Sequence, residues 1–477
     1  MNYEPVIGLE VHVQLKTKTK VFCGCSTEFG NEPNSQVCPV CLGFPGSLPV
    51  LNRAALDHAI KAGLALNCTV AEYTKFDRKH YYYPDLPKNI QISQYDLPVS
   101  KDGYLDIEID GRTKRIRIRR AHLEEDAGKL IHKETTSLID YNRTGQPLLE
   151  IVSEPDMNSP EEAYEYLTDL KSVIQYTDVS DCDMEKGTLR CDANISLRPA
   201  GTTGLGVKSE LKNLNSFKAV REALAYEIER HVQILADGGQ VVQETRLWDE
   251  KTGQTLAMRT KEEAKDYRYF PEPDLPPFTP VKEEIDRIKK EIPELPKEKC
   301  RRFMKEHGLG KSDAQQLTLS MQDAEFAEAV IRAFPGANKK PAVNWLIGPL
   351  ASEANARNRQ MHELGVSPED LVELVRFMED QEISNLAAKT VLSDMIDTHR
   401  TAAQIVKEKN LIQISDESSI ENDIDAVIAE NPKVVNDLTG GRSNALMFLV
   451  GQVMKRTKGK ANPKVVQDML KRRFPNV

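Results

Sequence analysis

The sequence predicts an α+β protein, in which a large, mostly antiparallel sheet domain is followed by a helical domain and a small helical tail domain. Three observations predict this order. Apolar and polar side chains alternate over several segments of the first half, a proline-rich stretch runs from Pro271 to Pro277, and beyond about Pro296 the pattern is almost wholly helical. We therefore expect domains at residues 1–293, 294–405 and 406–477.

The clearest strands are predicted from apolar residues at every second position. Residues 6–16 alternate without a break, which puts Glu10 and His12 together on the polar face of one strand. Leu189–Arg198 alternates in the same way. Strands that are polar on one side only are typical of a sheet with one face on the core and one face open.

Turn and capping residues delimit other elements. Tyr104–Asp110 and Arg115–Glu125 are expected to form a hairpin, because the Asp110-Gly111 pair favours a tight turn. A helix is predicted to begin after Ser159, which is followed by proline and two glutamates, as in a capped first turn. A second helix is predicted from Phe217 to Ala236, where two glycines follow.

Composition and charge exclude some classes of protein. The 477 residues are 40% hydrophobic and 29% charged, an ordinary composition for a water-soluble protein. No apolar run approaches the roughly 18 residues that a membrane span needs, and the first residues do not resemble a secretory leader. We therefore expect a cytoplasmic protein without membrane contact. A net charge of −9 excludes a surface that is basic throughout, but leaves room for a local basic patch.

Four of the eight cysteines are closely spaced. Cys23 and Cys25 form one short pair, and Cys38 and Cys41 form a second. Two such pairs can surround zinc tetrahedrally with Zn–S distances of about 2.3 Å, and four thiolates leave no open position for water. The spacing predicts a structural Zn²⁺ site, the alternative being four thiols without a metal.

Acidic residues recur on the polar sides of the predicted strands. Several carboxylates on one face would repel one another unless a cation lay among them, and oxygen ligands with an occasional imidazole suit Mg²⁺. Lys208 and Lys212 lie two residues to either side of one of these acids and are candidates for contacts with phosphate oxygens. The alternative is a solvated polar face. The candidate catalytic and Mg²⁺-binding residues are Glu10, His12, Glu124, Glu125, Asp192 and Glu210.

A segment rich in tyrosine and basic residues follows the first helix-like region. Tyrosines beside lysine and arginine suit stacking on a nucleotide or on the end of a tRNA, together with phosphate contacts. The alternative is a tyrosine-rich loop packed under the sheet. The candidate substrate or channel residues are Lys79, His80, Tyr81, Tyr82, Tyr83 and Lys88.

The C-terminal tail carries the basic patch that the net charge leaves open. From Asn431 to the end there are ten basic and two acidic residues. An apolar helical stripe leads into a basic loop, where phosphates can dock without any reading of bases. The alternative is a solvated run of charge. The candidate tRNA contacts are Lys455, Arg456, Lys458 and Lys460.

Some common signatures are missing from the sequence. It contains neither a phosphate-binding P-loop nor the set of motifs that marks protein kinases. We also find no serine or cysteine in a local pattern typical of a glutaminase nucleophile. A nucleotide site in this chain would therefore be of an uncommon type.

At these segments the chain resembles, over nearly its whole length, the B subunits of bacterial aspartyl/glutamyl-tRNA(Asn/Gln) amidotransferases, the GatB family. The resemblance depends on long and specific motifs rather than on short patterns. They are Ile7–Leu15, Val37–Gly46, Lys79–Lys88, His122–Asp126, Arg190–Ser196, Lys208–Ser216 and the tail loop Lys458–Pro463.

The resemblance implies a cradle-shaped catalytic domain, a helical domain and a tail that contacts the body of the tRNA. It implies a heterotrimer in which an amidase-like A subunit releases ammonia from glutamine and a small C subunit wraps the pair. This subunit would phosphorylate the side-chain carboxylate of Glu-tRNA(Gln) or Asp-tRNA(Asn) with ATP, and ammonia arriving through a channel would then replace the phosphate. The six candidate residues would surround Mg²⁺ and the reacting phosphate.

A second hypothesis assigns the chain no chemistry. In that case it is a zinc-containing, tRNA-binding subunit that positions the substrate while another protein reacts with it. The two hypotheses differ on the acidic face, which should be essential for phosphorylation under the first and dispensable under the second.

Overall fold

The computed structural model describes residues 3–260, 267–413, 417–439, 444–457 and 461–474. The chain divides into two compact units, Met1–Leu295 and Pro296–Val477. The first is built on a mostly antiparallel sheet and the second is helical, so the predicted α+β class is confirmed. The boundary at 405/406 that would divide the second unit stays a prediction.

In the described part of the chain, the strands all lie in the first unit. They are β1 Tyr3–Gln14, β2 Thr69–Val70, β3 Asp77–His80, β4 Ile90–Ser93, β5 Ser100–Ile109, β6 Arg112–Glu125, β7 Lys129–His132, β8 Ser137–Asp140, β9 Pro147–Ser153, β10 Leu189–Pro199, β11 Ser209–Leu214, β12 Glu244–Asp249, β13 Gln254–Thr260 and β14 Phe270–Pro271.

One nine-stranded sheet organises the first unit, in the order β13-β12-β11-β10-β1-β9-β6-β5-β2. Neighbouring strands of this sheet run antiparallel, except for the parallel pair β11 and β12. A three-stranded sheet, β14-β3-β4, and the hairpin β7-β8 accompany it. The N-terminal strand therefore lies at the centre of the large sheet, between two strands that follow it by more than 100 residues.

The helices are α1 Pro39–Leu42, α2 Arg53–Ala65, α3 Pro160–Tyr176, α4 Phe217–Ala236, α5 Lys282–Lys290, α6 Pro296–His307, α7 Lys311–Leu317, α8 Met321–Ala333, α9 Lys340–Trp345, α10 Ala351–Ala356, α11 Pro368–Glu379, α12 Asn385–Thr398, α13 Ala402–Glu408, α14 Glu417–Glu430, α15 Pro432–Thr439, α16 Asn444–Arg456 and α17 Pro463–Arg473. A π-helical turn at Leu346–Leu350 joins α9 to α10, and a 3₁₀ turn spans Met361–Leu364.

Helices cover one face of the large sheet. The apolar residues of β1 are fully or almost fully buried and share one core with residues of α2, α3 and α4. Burial of apolar surface is the main favourable contribution to such packing. The polar side chains of the same strands lie on the opposite face of the sheet.

The local predictions from the sequence are confirmed at these elements. Asp110 and Gly111 both have positive φ, at 49° and 75°, and join β5 to β6 as a tight hairpin turn of the kind that matches strand twist. Ser159 caps α3 by accepting a hydrogen bond from the Glu162 amide. Helix α4 spans Phe217–Ala236, as predicted.

The second unit has two separate apolar clusters. One lies within residues 303–406 and the other within residues 420–474. None of the helices in the described ranges is both long and apolar enough to cross a lipid bilayer.

Candidate active site

Strand pairing brings distant polar residues to the open face of the large sheet. In the pairing of β1 with β10, Glu10 lies opposite Asp192. On the other side of β1, His12 lies opposite Glu150 of β9. Directly opposed residues of an antiparallel pair point to the same face, so these four side chains lie on the side away from the helices.

One group on this face is the histidine–carboxylate cluster, formed by His12, His122, Glu124 and Glu150. The Nε2 atom of His12 lies 3.5 Å from Glu150 Oε2 and 3.9 Å from Glu124 Oε1. His122 Nε2 approaches the same two acids at 3.4 Å and 3.8 Å. One ligand atom each from His12, Glu124 and Glu150 lie within 4.8 Å of one another, which is close enough to hold a single metal ion.

Charge balance within this cluster changes the pKa of each partner. Burial lowers the pKa of His12, but the hydrogen bond and charge of Glu150 outweigh burial and raise the pKa above its ordinary value. Burial and the charge of Glu150 raise the pKa of Glu124, but His122 and Lys79 outweigh them and lower it. Burial raises the pKa of Glu150, but His122, His12 and Lys79 outweigh burial and lower it. Both acids are therefore ionised at neutral pH, as carboxylate ligands of a metal ion must be.

Lys79 contributes a positive charge to this cluster from the neighbouring small sheet. Burial lowers its pKa, but the negative charges of Glu124 and Glu150 raise the pKa above the ordinary value. Its Nζ atom lies 5.1 Å from the ring centre of Tyr267 and 5.6 Å from that of Tyr81, so that two aromatic faces help to place the ammonium.

A second group continues across the sheet toward β11, and we call it the lysine–carboxylate row. Lys212 Nζ bridges Asp192 Oδ2 at 2.5 Å and Glu210 Oε1 at 3.1 Å. Burial lowers the pKa of Lys212, but these two acids raise it to about 12. Thr245 Oγ1 donates to Glu210 Oε2 at 2.8 Å. The members of the row are Glu10, Asp192, Asn194, Lys208, Glu210 and Lys212.

Asn194 connects Glu10 with Lys208 at the other end of this row. Its Nδ2 donates to Glu10 Oε1 at 3.0 Å, and its Oδ1 accepts from Lys208 Nζ at 2.9 Å. A groove of about 190 Å³ opens here, lined in part by Gly8, Glu10, Lys208 and Arg119. The two cations make this groove suited to a phosphate-bearing ligand.

The predicted residues are thus divided: His12 and Glu124 lie in the histidine–carboxylate cluster, Glu10, Asp192 and Glu210 lie in the lysine–carboxylate row, and Glu125 lies in neither. Among the residues that the structure describes, the groups of histidine, cysteine and acidic residues close enough to share one ion are the four cysteines and the set of His12, Glu124 and Glu150. Glu10, Asp192 and Glu210 lie outside that second set, in contact with amide and lysine groups. Their part in binding Mg²⁺ stays a prediction.

Glu125 lies in a different set of contacts from its neighbour Glu124. Its carboxylate accepts from Lys88 Nζ at 2.5 and 2.6 Å and from the Ile92 amide at 2.9 Å. Glu124 instead accepts from Ser93 Oγ at 3.1 Å and faces the histidines. Adjacent residues of a strand point to opposite sides, which explains the separation.

The rest of the aromatic and basic segment is divided between buried and open positions. His80 stacks on Phe270 of β14, with ring centres 4.9 Å apart. Burial raises the pKa of Tyr81, which lies beside the cluster, well above its ordinary range. Tyr82 and Tyr83 are exposed. The contacts of this segment with substrate stay a prediction.

The four clustered cysteines come together as a second candidate metal centre. The Sγ atoms of Cys23, Cys25, Cys38 and Cys41 all lie within 4.8 Å of one another. The Cys38 amide donates to Cys41 Sγ at 3.2 Å, in a short helical turn that ends at Gly43 with φ of 71°. Four thiols at this separation, with a backbone amide aimed at one of them, fit a tetrahedral zinc ion.

The tail residues predicted to contact tRNA are partly described. Lys455 and Arg456 end helix α16. Arg456 pairs with Asp423 at 3.0 Å and with Glu430 at 2.9 Å. Lys458 and Lys460 lie outside the described residues. The contact between this tail and tRNA stays a prediction.

Two members of the histidine–carboxylate cluster, Glu150 and His122, are absent from the residues predicted from the sequence. Glu150 is the one charged residue in the otherwise apolar strand Pro147–Ser153, and a buried acid in a central strand is a recognisable signal. His122 begins the motif that contains Glu124. Its value as a signal is lower, since a lone histidine is often structural.

Comparison with protein families covers most of the chain. A profile described as the GatB/GatE catalytic domain matches residues 5–286, and a profile described as the GatB domain matches residues 325–474. The first match contains both groups of the candidate site and the four cysteines.

Curated relatives match over nearly the full length. The chain is 55% identical over 474 residues to the B subunit of the aspartyl/glutamyl-tRNA(Asn/Gln) amidotransferase of Carboxydothermus hydrogenoformans, with 98% of each chain covered. The protein of the same name from Caldanaerobacter subterraneus subsp. tengcongensis is 55% identical over 472 residues, with 99% of each chain covered. That of Thermodesulfovibrio yellowstonii is 51% identical over 471 residues, covering 98% of this chain and 99% of the relative.

Proposed function

Because the chain belongs to the GatB family of aspartyl/glutamyl-tRNA(Asn/Gln) amidotransferase B subunits, we propose that it converts a mischarged aminoacyl-tRNA into its amide form. The side-chain carboxylate of Glu-tRNA(Gln) or Asp-tRNA(Asn) attacks the γ-phosphorus of ATP, and ADP leaves. Ammonia then attacks the acyl phosphate, a C–N bond forms and inorganic phosphate leaves. Phosphorylation is needed because a free carboxylate is a poor electrophile.

The observation that carries this proposal is the histidine–carboxylate cluster on the open face of the central strands. Its two ionised acids, Glu124 and Glu150, and His12 present three ligand atoms within 4.8 Å. Oxygen ligands with one imidazole fit Mg²⁺, which when bound neutralises phosphate charge during phosphoryl transfer. Lys79 lies on the same side and supplies a further positive charge toward these acids.

The lysine–carboxylate row supports a nucleotide site next to this cluster. Lys208 lines the groove beside Glu10, and Lys212 lies on β11 a few residues further along the chain. Positive charges placed along the path of a transferring phosphoryl group stabilise the charge that develops there. We propose that Lys208 and Lys212 contact phosphates of ATP, whereas Glu10, Asp192 and Glu210 orient these lysines and any ion that accompanies the nucleotide.

The remaining parts of the proposal concern partners. An amidase-like glutaminase, the A subunit, releases ammonia from glutamine. A small C subunit completes the heterotrimer. The channel that delivers the ammonia opens near the Lys88–Glu125 pair. The tail from Lys455 onward contacts tRNA, and the reaction takes place in the cytoplasm, where tRNA is charged. The four cysteines hold a structural zinc ion.

The second hypothesis from the sequence, a tRNA-binding subunit without chemistry, is not favoured. The matched profile is described as a catalytic domain, and it spans residues 5–286. A subunit that only bound tRNA would also gain nothing from a cluster of ionised acids, because acids repel the phosphates of a polyanion.

Glu150→Gln tests the catalytic proposal. In a complex reconstituted with its partner proteins, this variant should lower ATP-dependent phosphorylation of Glu-tRNA(Gln) at least about 100-fold, because a metal ligand loses its charge. Phosphorylation is measured by transfer of label from γ-labelled ATP, and glutamine hydrolysis by the partner is measured in the same sample.

Glu4→Gln is the matched control. Glu4 lies on the same sheet face, on the adjacent strand β1, but pairs with Arg198 at 3.1 Å, away from the cluster. It should leave phosphorylation within about twofold of the unmodified chain. Normal phosphorylation in Glu150→Gln, with glutamine hydrolysis intact, would remove the catalytic assignment.

A further inference from the structure

Beside the four cysteines lies a lysine that neither the sequence nor the family match singles out. We propose that Lys20 is a positioning residue of the cysteine metal centre, where its ammonium compensates the negative charge of metal-bound thiolates. This inference rests on the structural zinc proposed above, and it concerns no residue of the phosphorylation chemistry.

The Lys20 side chain is fully buried, with 0% of its surface exposed. Its Nζ donates to the carbonyl oxygens of Gln36 at 2.7 Å and Tyr141 at 3.3 Å, and lies 3.7 Å from Cys41 Sγ. Among the residues that the structure describes, no carboxylate lies within salt-bridge distance of this ammonium, although many other lysines of the first unit have one.

A buried ammonium needs a counter-charge. Carbonyl oxygens satisfy its hydrogen bonds but carry no net charge, and a buried cation without an anionic partner is strongly unfavourable. The contact that can supply a negative charge is Cys41 Sγ, if the sulfur is a thiolate. Four thiolates around one divalent ion carry a net charge of about −2, so the ammonium and the loaded centre would each offset the other's charge.

The position of Lys20 also connects the segments that surround the centre. Gln36 lies between the two cysteine pairs, and Tyr141 lies in the connection that leads to β9. The Lys20 amide donates to the Cys25 carbonyl at 3.0 Å. Two carbonyl oxygens and Cys41 Sγ surround Lys20 Nζ and hold the ammonium at one place.

Two consequences follow from this arrangement. Lys20 should slow the release of zinc, because the loaded centre would otherwise be an uncompensated anion in a buried position. The metal should in turn stabilise the lysine, because four metal-bound thiolates place more negative charge beside the ammonium than the metal-free sulfurs do. A lysine that merely fills space and donates hydrogen bonds would contribute equally with and without zinc.

Lys20→Met in the full-length chain tests the first consequence. Methionine keeps the apolar stem and removes the charge. Zinc content is measured by elemental analysis, and its release is followed as transfer to an excess of a chromogenic chelator. We expect release about 10- to 100-fold faster than from the unmodified chain, the size typical of changes next to metal ligands. Lys18→Met, at an exposed position two residues away, is the matched control and should release zinc at the unmodified rate.

The second consequence, that the metal stabilises the lysine, is tested by thermal unfolding. The midpoint is measured for the zinc-loaded chain and for the chain stripped of zinc by chelation. Lys20→Met should lower the midpoint of the zinc-loaded chain more than the midpoint of the stripped chain, because the lost hydrogen bonds count in both states and the lost charge compensation counts mainly in the loaded one. An equal loss in both states would show a purely structural role and overturn the proposal.

If Lys20→Met does not yield folded protein, Lys20→Arg and Lys20→Gln are compared. Both substitutions disturb the packing, but only arginine keeps the positive charge. The arginine variant should therefore retain zinc longer than the glutamine variant. Equal release from the two variants would overturn the proposal. A zinc-free unmodified chain would overturn both this inference and the structural zinc. The amidotransferase function is judged separately, by phosphorylation of Glu-tRNA(Gln).

Discussion

Replacing Glu227 by glutamine should destabilise the first unit more than any other single loss of charge on helix α4. Glu227 is fully buried, and it accepts hydrogen bonds from Arg230 at 2.8 and 2.9 Å and lies 3.0 Å from Arg246 Nε. His231 Nε2 lies 3.3 Å from Glu227 Oε2, and Thr255 Oγ1 donates to Glu227 Oε1, the oxygen that Arg246 also approaches. These contacts join α4 to β12 and β13.

The pKa of Glu227 gives the size of the effect. Burial raises this pKa, but the hydrogen bonds from His231, Arg230 and Thr255 outweigh burial and lower it from an ordinary 4.5 to about 2. At about 1.4 kcal/mol per pKa unit, the ionised form contributes about 3 kcal/mol to the free energy of unfolding.

The sign of the pH dependence follows from the lowered pKa. Because the pKa is lower in the folded state, the contribution is complete above the unfolded value of 4.5 and is lost as pH falls toward about 2. Glu227→Gln should therefore cost about 3 kcal/mol at pH 7, and about 1 kcal/mol less than that at a pH of about 3.5.

Tryptophan fluorescence during urea unfolding measures this effect. The chain has two tryptophans, and Trp248 on β12 is buried beside the network. In a Trp345→Phe background, Trp248 alone reports on the first unit. Glu229→Gln, at an exposed position on the same helix, is the matched control and should change the free energy of unfolding by less than about 0.5 kcal/mol. A loss below about 1 kcal/mol in Glu227→Gln, or a loss independent of pH, would refute the reasoning.

Three further predictions concern the proposed function. Glu150→Gln should lower the pKa of His12 in metal-free protein to below its ordinary value, because burial then acts with less opposition; histidine-selective NMR titration measures this, and an unchanged pKa would contradict the assigned contact. Lys88→Met should reduce glutamine-driven amidation at least about 10-fold while phosphorylation continues, because Glu125 loses the ammonium that neutralises it; equal loss of both activities would place the pair in the phosphorylation site instead. Lys455→Ala should weaken tRNA binding and reduce the slope of log affinity against log salt by about one unit, and an identical slope would exclude a phosphate contact.

Much of the fold was predictable because the signals are local. The alternation in β1, the Asp110-Gly111 turn and the capping by Ser159 each depend on residues within a few positions of one another. The close spacing of the cysteine pairs is a signal of the same kind. The two-residue period also placed Glu10 and His12 on one face before any partner strand was known.

The composition of the site depends on pairings between distant segments. The sequence alone identified motifs that contain His12 and Glu124, but did not identify Glu150, because its proximity to His12 requires that β9 pair with β1 in one register. A shift of one residue would turn Glu150 to the core face. Such a register is set by the packing of the whole sheet, which no local pattern contains.

The sequence by itself thus determined the type of the clearest strands and helices, the candidate metal ligands among the cysteines and the family to which the chain belongs. The tertiary structure decided which charges meet. It separates Glu125, paired with Lys88, from Glu124, and it buries Lys20 against Cys41. The reason is physical: periodicity assigns a side chain to a face, but burial and electrostatic partners arise only when segments far apart in the chain pack together.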